Sequence, residues 1–311
     1  MPEDVSCSEY VVVIGDANID ISTTSSISMR VNGPHPSLGV IFKPGGGPRN
    51  VAENLALLGC KTYLLSVLGD DAYGRDVAQA TQKAGVDLSA TLCCQGQATS
   101  RSVIVNDCDG ENYCVVGDMS IVTQISPQWL EAHAELLKGA TAIVTSLVLS
   151  KETLAWLLTH HSDQPIFMDT VGSYFVPNLT PWLGRIHTLK LNRQETSLLS
   201  GLPFASREQA PEVAQWFHCA GVTQVVLSLG SFGFYYSNGE EAGWMNAPAV
   251  KVVNVTGAGD ALLAGFAYGW LKGLPLADAA RIARGCAAMT LMTPMNVHPA
   301  LSVRAVDELR L

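Results

Sequence analysis

The segment Asn254-Val255-Thr256-Gly257-Ala258-Gly259-Asp260 sets two glycines, an alanine and a carboxylate at the entrance to an apolar run, Ala261–Leu271. Such a backbone can pass close to a ligand, and a helix starting there aims unpaired N–H groups outward, which favours an anion. Asp260 falls in the first helical turn, at the rim of that cradle. An anion cradle beside a carboxylate can hold a migrating phosphoryl group and accept the proton of its acceptor. The chemistry expected here is phosphoryl transfer, with Asp260 as base and Gly257, Ala258 and Gly259 as the cradle.

Four further segments carry polar residues where chemistry could occur. Gly45-Gly46-Gly47-Pro48-Arg49-Asn50 opens a helix expected from Val51. Its glycines permit close approach, and Asn50 offers both donor and acceptor to a hydroxyl, or else caps the helix. It is no Walker A loop, because the chain has no Gly-Lys pair. Gly15-Asp16-Ala17-Asn18-Ile19-Asp20 follows the first expected strand. Asn18 and Asp20, two apart, share a side if the chain stays extended, and an amide beside a carboxylate suits a vicinal diol. A dinucleotide loop is disfavoured there, since GxGxxG is missing and Asp16 stands where a glycine is needed. Lys190-Leu191-Asn192-Arg193-Gln194-Glu195 places Asn192 and Glu195 where they could face phosphates and hydrated Mg²⁺; a capping Asn-x-x-Glu reads equally well. Ser228-Leu229-Gly230-Ser231-Phe232-Gly233 is either a close nucleotide approach or a hairpin turn. Gly69-Asp70-Asp71-Ala72-Tyr73-Gly74 reads as structural, with Asp71 capping the next helix. The histidines show no HExxH pattern, and no GxSxG elbow is present.

The elements that must position these residues alternate. Buried strands are expected at Tyr10–Ile14, Thr62–Val67, Ala140–Thr145, Pro165–Asp169, Thr188–Leu191 and Val225–Leu229. Helical stretches separate them, among them Ala72–Ala84, Lys151–Thr159 and Arg207–Cys219. This alternation predicts a parallel sheet covered on both faces. Two stretches break it: Ile19–Lys43, rich in Ser, Thr, Gly and Pro, and Ser100–Val116, two alternating strands around Asp107–Gly110. Both are expected to be antiparallel strands that leave the main sheet as a small lid.

The chain is 48% hydrophobic and 15% charged, which excludes a disordered protein. A net charge of −9 without a Lys/Arg cluster argues against nucleic acid and anionic membrane as partners. The acidic N-terminus has neither the basic region nor the long apolar core of a signal peptide, and the Ala261–Leu271 run is too short for a bilayer. Scattered cysteines without a CxxC pattern suit reduced thiols, so a cytoplasmic location is expected.

In this order the segments resemble the PfkB (ribokinase-like) family of carbohydrate and nucleoside kinases over nearly the whole chain, with Thr-Gly-Ala-Gly-Asp at 256–260 the most specific signature. Within that family the likeness is greatest to the pseudouridine kinases. It is carried by Gly45–Asn50, by His187-Thr188-Leu189-Lys190 before Asn192, and by Asn254-Val255-Thr256. The resemblance implies a three-layer α/β/α core with a mainly parallel sheet and a β-sheet lid. It implies one kinase domain over residues 1–311, with lid strands inserted at about 19–44 and 98–118. ATP with Mg²⁺ would phosphorylate a primary hydroxyl, for pseudouridine its 5′-hydroxyl, giving pseudouridine 5′-phosphate and ADP.

By the same resemblance Asn18, Asp20, Gly45, Gly46 and Asn50 hold the sugar. Asn192, Glu195, Ser228, Gly230, Gly233, Thr256, Gly257 and Gly259 meet ATP, with Glu195 reaching Mg²⁺ through water. Asn254 and Thr256 stand at a monovalent-cation position, for K⁺, although many members carry Asp where Asn254 stands. Reading a base that has an extra ring N–H needs a buried acceptor from the lid; Thr99, Ser100, Asn106, Asn112 and Asp118 are the candidates, Asp118 first. The open lid sheet implies a homodimer. Two alternatives stay open. One is another acceptor: ribose, adenosine, 2-keto-3-deoxygluconate or a phosphohexose, the last disfavoured because the lid offers only Arg30, Lys43 and Arg101. The other is a non-catalytic sugar-binding protein, which the intact Asp260 and Gly-Ala-Gly argue against.

Overall fold

Short apolar runs build the centre of the molecule. In Val-Val-Val-Ile at 11–14 all four side chains are buried, but they divide between two cores: Val11 and Val13 pack on one face of the sheet, Val12 and Ile14 on the other. A strand covered on both faces needs a helical layer on each side.

The computed structural model describes residues 9–30, 33–109, 112–161, 163–170 and 176–309. Its elements begin with β1 (Val11–Ile14), β2 (Asn18–Ser25), β3 (Ser37–Gly45), α1 (Gly47–Leu57), β4 (Thr62–Leu65), β5 (Val67–Gly69) and α2 (Ala72–Lys83). Then come β6 (Leu92–Cys94), β7 (Ser100–Asn106), β8 (Asn112–Asp118), α3 (Pro127–Glu131), α4 (Ala134–Lys138), β9 (Ala142–Ser146), α5 (Lys151–His160) and β10 (Ile166–Asp169). The last third holds β11 (Thr188–Asn192), α6 (Arg193–Ser200), α7 (Ala210–Cys219), β12 (Gln224–Ser228), β13 (Phe234–Ser237), β14 (Ala242–Met245), α8 (Ala258–Leu271), α9 (Leu276–Leu291) and α10 (Val303–Glu308).

The main sheet runs β14-β13-β12-β11-β10-β9-β1-β4. It is parallel from β12 to β4, and β13 and β14 close one edge antiparallel. Side chains of α1 and α8 pack on one face, those of α5 and α7 on the other, giving a three-layer α/β/α core. A separate four-stranded sheet, β3-β2-β7-β8, forms the lid. The expected strands are present with two corrections: the Thr62–Val67 run divides at Ser66 into β4 of the main sheet and β5, which pairs with β6 in a two-stranded sheet, and the lid is not wholly antiparallel, because β2 pairs with β7 in parallel. The 228–233 segment is a hairpin connection between β12 and β13, and α1 begins at Gly47, earlier than Val51, because Pro48 fits a helix's first turn. Gly110, in the expected lid turn, lies outside the described residues, as does Cys7; the described cysteines are free. Among the described residues no helix is long and apolar enough to cross a membrane.

Candidate active site

Parallel topology gathers the carboxyl ends of β1, β9, β10 and β11 at one edge of the sheet, where ligands of open α/β folds sit. Asp16 follows β1 and Asp169 ends β10. Register places Lys190 of β11 directly beside Asp169, and its Nζ donates to both carboxylate oxygens, at 2.9 and 3.1 Å. Both side chains are buried. Burial works against the Lys190 charge, but Asp169, Glu195 and Asp260 outweigh it and hold the ammonium above its ordinary range.

The N-terminus of α8 meets this pair. Gly257, the residue before the helix, has φ 89°, and a Cβ there would lie 2.1 Å from the Asn296 carbonyl oxygen, so only glycine fits. A Cβ on Gly259 would fall 2.6 Å from Lys190 Nζ: the ammonium lies against the backbone of the cradle itself. Asp260, one residue on, is buried and accepts a 2.8 Å hydrogen bond on Oδ2 from Asn50 Nδ2. Burial and then the Asp169 charge push its carboxyl up to about 8, while the Asn50 bond and Lys190 pull it down and Asp16 adds to the rise. Burial likewise raises Asp16 to about 6, with the charge of Asp20 adding to it.

Above the cradle, alternation along the lid strands builds a polar row. Asp20 of β2 lies between Lys43 of β3 and Ser102 of β7, and Asn18 between Gly45 and Ser100. Asn18 Nδ2 donates to Ser102 Oγ (2.9 Å) and Asp20 Oδ1 (3.2 Å); Asp20 Oδ2 accepts from Asn296 Nδ2. Burial raises the Asp20 carboxyl, opposed by Asn296, Lys43, Asn18 and Arg49. Three buried atoms in this region have no partner: Asn18 Oδ1, Ser100 Oγ and Asn296 Oδ1. Buried polar atoms are nearly always satisfied, and these are grouped where a polyhydroxylated ligand would supply the partners. Gly45 lies against the Asn18 and Asp20 side chains, and Gly46 against the Asp16 backbone.

Other expected site residues are differently engaged. Asn192 and Glu195 form a capping box at α6: Asn192 Oδ1 accepts from Glu195 N–H, and Glu195 Oε2 from Asn192 N–H. One Glu195 oxygen is thereby committed, and the buried carboxylate fits Mg²⁺ only through a coordinated water. Ser228 Oγ donates to the Leu191 carbonyl. Gly230 turns with φ 57° beside open space, whereas Gly233 is wedged against Met245 O in the hairpin. Asn254 Nδ2 donates to the carbonyls of Thr256 and Met295, while its Oδ1 accepts from Thr256 N–H. Amide hydrogens thus already meet the Thr256 and Met295 carbonyls, at the position where the resemblance implies a monovalent cation.

Asp118 does not join the polar row. It pairs with Arg101, which alternates out of phase with Ser100 and Ser102, so it lies on the opposite lid face. It is exposed, and its carboxylate caps Ser120 through backbone N–H and Oγ. Thr99 is spent on Asp71 and Gly69, and Asp71 is the N-cap of α2. Asn106 has a buried Oδ1 without a partner, and the Asn112 side chain lies outside the described parts. Ser100 alone of the five candidates lies beside Asn18 in the row.

Residues 8–298 match the profile of the pfkB family of carbohydrate kinases. The chain belongs to this family. An Escherichia coli (strain K12) protein named pseudouridine kinase is 40% identical over 302 residues, covering 97% of this chain and 96% of that protein. An uncharacterized sugar kinase of the same organism, YeiI, is 34% identical over 295 residues, covering 94% and 81%. The solved structure of Arabidopsis thaliana ribokinase complexed with ribose and ATP shares the fold with a TM-score of 0.85, at 24% identity and 97% and 98% coverage. The chain is thus a family kinase, a phosphotransferase acting on a sugar or nucleoside. Sequence reasoning missed Arg49, Asp169 and Asn296, all buried at this site. The available signals were a charge closing the apolar run Ile-Phe-Met-Asp and an arginine inside a glycine-rich helix start.

Proposed function

We propose that this kinase transfers the γ-phosphoryl group of ATP to the 5′-hydroxyl of pseudouridine. The observation that carries the reaction is the buried Asp260, held by Asn50 at the start of α8 beside the Asp169–Lys190 pair. Support for the acceptor is the 40% identity along nearly the whole of a relative bearing that name.

In this reading Asn18 and Asp20 hold the ribose hydroxyls, with Gly45 and Gly46 allowing close approach and Ser100 facing the nucleoside. Asp260 takes the proton of the 5′-hydroxyl as its oxygen attacks the γ-phosphorus; the bond to the β–γ bridging oxygen breaks and ADP leaves. Amides of Gly257–Asp260 and the Lys190 ammonium stabilise the charge on the transferring group, so catalysis is mostly positioning and electrostatics. Gly230 and Ser228 lie along the nucleotide's path. Glu195 would hold Mg²⁺ through water, and the ion would supply positive charge to the phosphates. Exposed apolar residues of the lid, Leu38, Val40, Phe42 and Val115, suit burial against a second copy of the chain.

The test is a panel of pseudouridine, uridine, adenosine and ribose with ATP and Mg²⁺, read as phosphate transferred to the acceptor. The expected result is the highest kcat/KM for pseudouridine. Uridine or ribose equal to it or better would return the acceptor to an undetermined sugar or nucleoside.

A further inference from the structure

Arg49 is an arginine that solvent hardly reaches, on the first turn of α1, behind the glycine turn that ends the lid strand. Its Nε donates to Thr81 Oγ1 (3.1 Å), Nη2 pairs with Glu53, and Nη1 donates both to the Pro44 carbonyl (3.1 Å) and to Asn50 Oδ1 (2.9 Å). The last contact has a consequence for the neighbouring amide. A guanidinium can only donate, so the atom facing it must be the Asn50 oxygen. The other end of the amide, its NH₂, is then forced toward Asp260, where Nδ2 lies 2.8 Å from Oδ2. Turned over, the same amide would set its carbonyl oxygen against the Asp260 carboxylate and its NH₂ against a cation; both contacts would repel.

We propose that Arg49 is a positioning residue that fixes the orientation of the Asn50 amide, so that Asn50 donates to Asp260, aims that carboxylate and favours its ionised form. This rests on the reading of Asp260 as the base. It leaves Asn50 one amide hydrogen for a substrate hydroxyl, because its oxygen is committed to Arg49. Five groups face Asp260 or act on its charge: Asp169 from β10, Lys190 from β11, Asp16 after β1, and Asn50 and Arg49 from α1.

The experiment is a double-mutant cycle. Arg49→Met and Asn50→Ala, singly and together, are compared with the parent in pH profiles of kcat/KM for the nucleoside. Arg49→Met should lower kcat/KM by roughly ten- to a hundredfold, the scale of a lost hydrogen bond to a charged group, and move the acid limb to higher pH. Loss of the Arg49 charge alone would also raise the limb, so the decisive comparison is the Asn50→Ala background. There Arg49→Met should add little. If it costs as much there as in the parent, Arg49 acts by charge or by general packing and the proposal is overturned.

Arg49→Lys keeps the charge and one donor nitrogen, and should recover part of the loss; no recovery in a protein with parental melting behaviour also contradicts the proposal. A readout without turnover separates this claim from the kinase reading. The Asn50 side-chain amide NMR signal, identified by its disappearance in Asn50→Ala, should titrate with Asp260 in the unliganded parent. It should stop doing so in Arg49→Met, or in Arg49→Lys if the methionine variant does not fold. A signal that titrates identically with and without Arg49 sinks the proposal even if phosphoryl transfer is found. A panel with no phosphate transfer sinks the kinase reading and leaves this result standing.

Discussion

The lid row and the cradle beneath it are both polar and both buried, yet they are finished to different degrees. Around Asp260 the described groups close on one another: Lys190 is bidentate on Asp169, Asn50 holds Asp260, and Arg49 holds Asn50. In the lid row, Asn18, Ser100 and Asn296 each keep a buried atom without a partner. A site whose charged groups are already held in place has little left to reorganise during reaction, whereas unsatisfied polar atoms are where a ligand gains its binding energy. On the function proposed above, chemistry falls to the cradle and recognition to the lid.

The most severe way to break the cradle half is to remove one partner of its buried ion pair. Lys190→Met takes away the ammonium that meets both Asp169 oxygens, which should destabilise the fold by about 3–5 kcal/mol in chemical denaturation. Replacing both partners, Asp169→Leu with Lys190→Met, should restore most of that stability but not turnover. Recovery of both would show the pair to be structural.

The lid half is tested by Asn18→Ala and Asp20→Ala. Each should weaken nucleoside binding by about 1–3 kcal/mol while KM for ATP stays near the parental value. A rise confined to the ATP KM would reverse the assignment of the two regions.

A third comparison uses pH. The Asp260 carboxyl sits at about 8 in the fold against 3.8 for the ordinary group, so the folded protein binds that proton more tightly than the unfolded chain. The stability this contributes is full below about pH 4 and is lost as pH rises through about 8. Asp260→Asn, never charged, escapes the loss. Its melting temperature relative to the parent should therefore climb between pH 5 and pH 9; a constant difference would show that Asp260 carries no such burden.

The smallest effect is expected at Asn254. Exchanging K⁺ for Na⁺ should leave kcat/KM unchanged, because the Asn254 amide already satisfies the Thr256 and Met295 carbonyls. Asn254→Asp should introduce activation by K⁺. Parental activation by K⁺ would overturn this view of the turn.

Much of this was legible along the chain. Apolar runs of four or five residues mark the parallel strands, and glycine next to Asp260 marks the cradle, because both are local signals. What escaped depends on pairing between distant segments. Asp169 and Lys190 meet only through the register of β10 on β11, and Asn296 reaches Asp20 across 276 residues. Arg49 looks like a surface charge until Pro44, Thr81 and Asn50 enclose it. Asp118 was misplaced for a simpler reason: in β8, one residue decides the face, and its partner Arg101 is out of phase with the polar row. The β13–β14 edge was missed because Phe-Tyr-Tyr-Ser and Ala-Gly-Trp-Met are four residues each, too short to show a period.

The most direct test of the central claim is kcat for Asp260→Asn beside the parent, with ATP and nucleoside binding measured separately by calorimetry. Turnover should fall by about 10²–10⁴-fold, the range of a lost general base, with both ligands still bound. Near-parental kcat in that variant would contradict it.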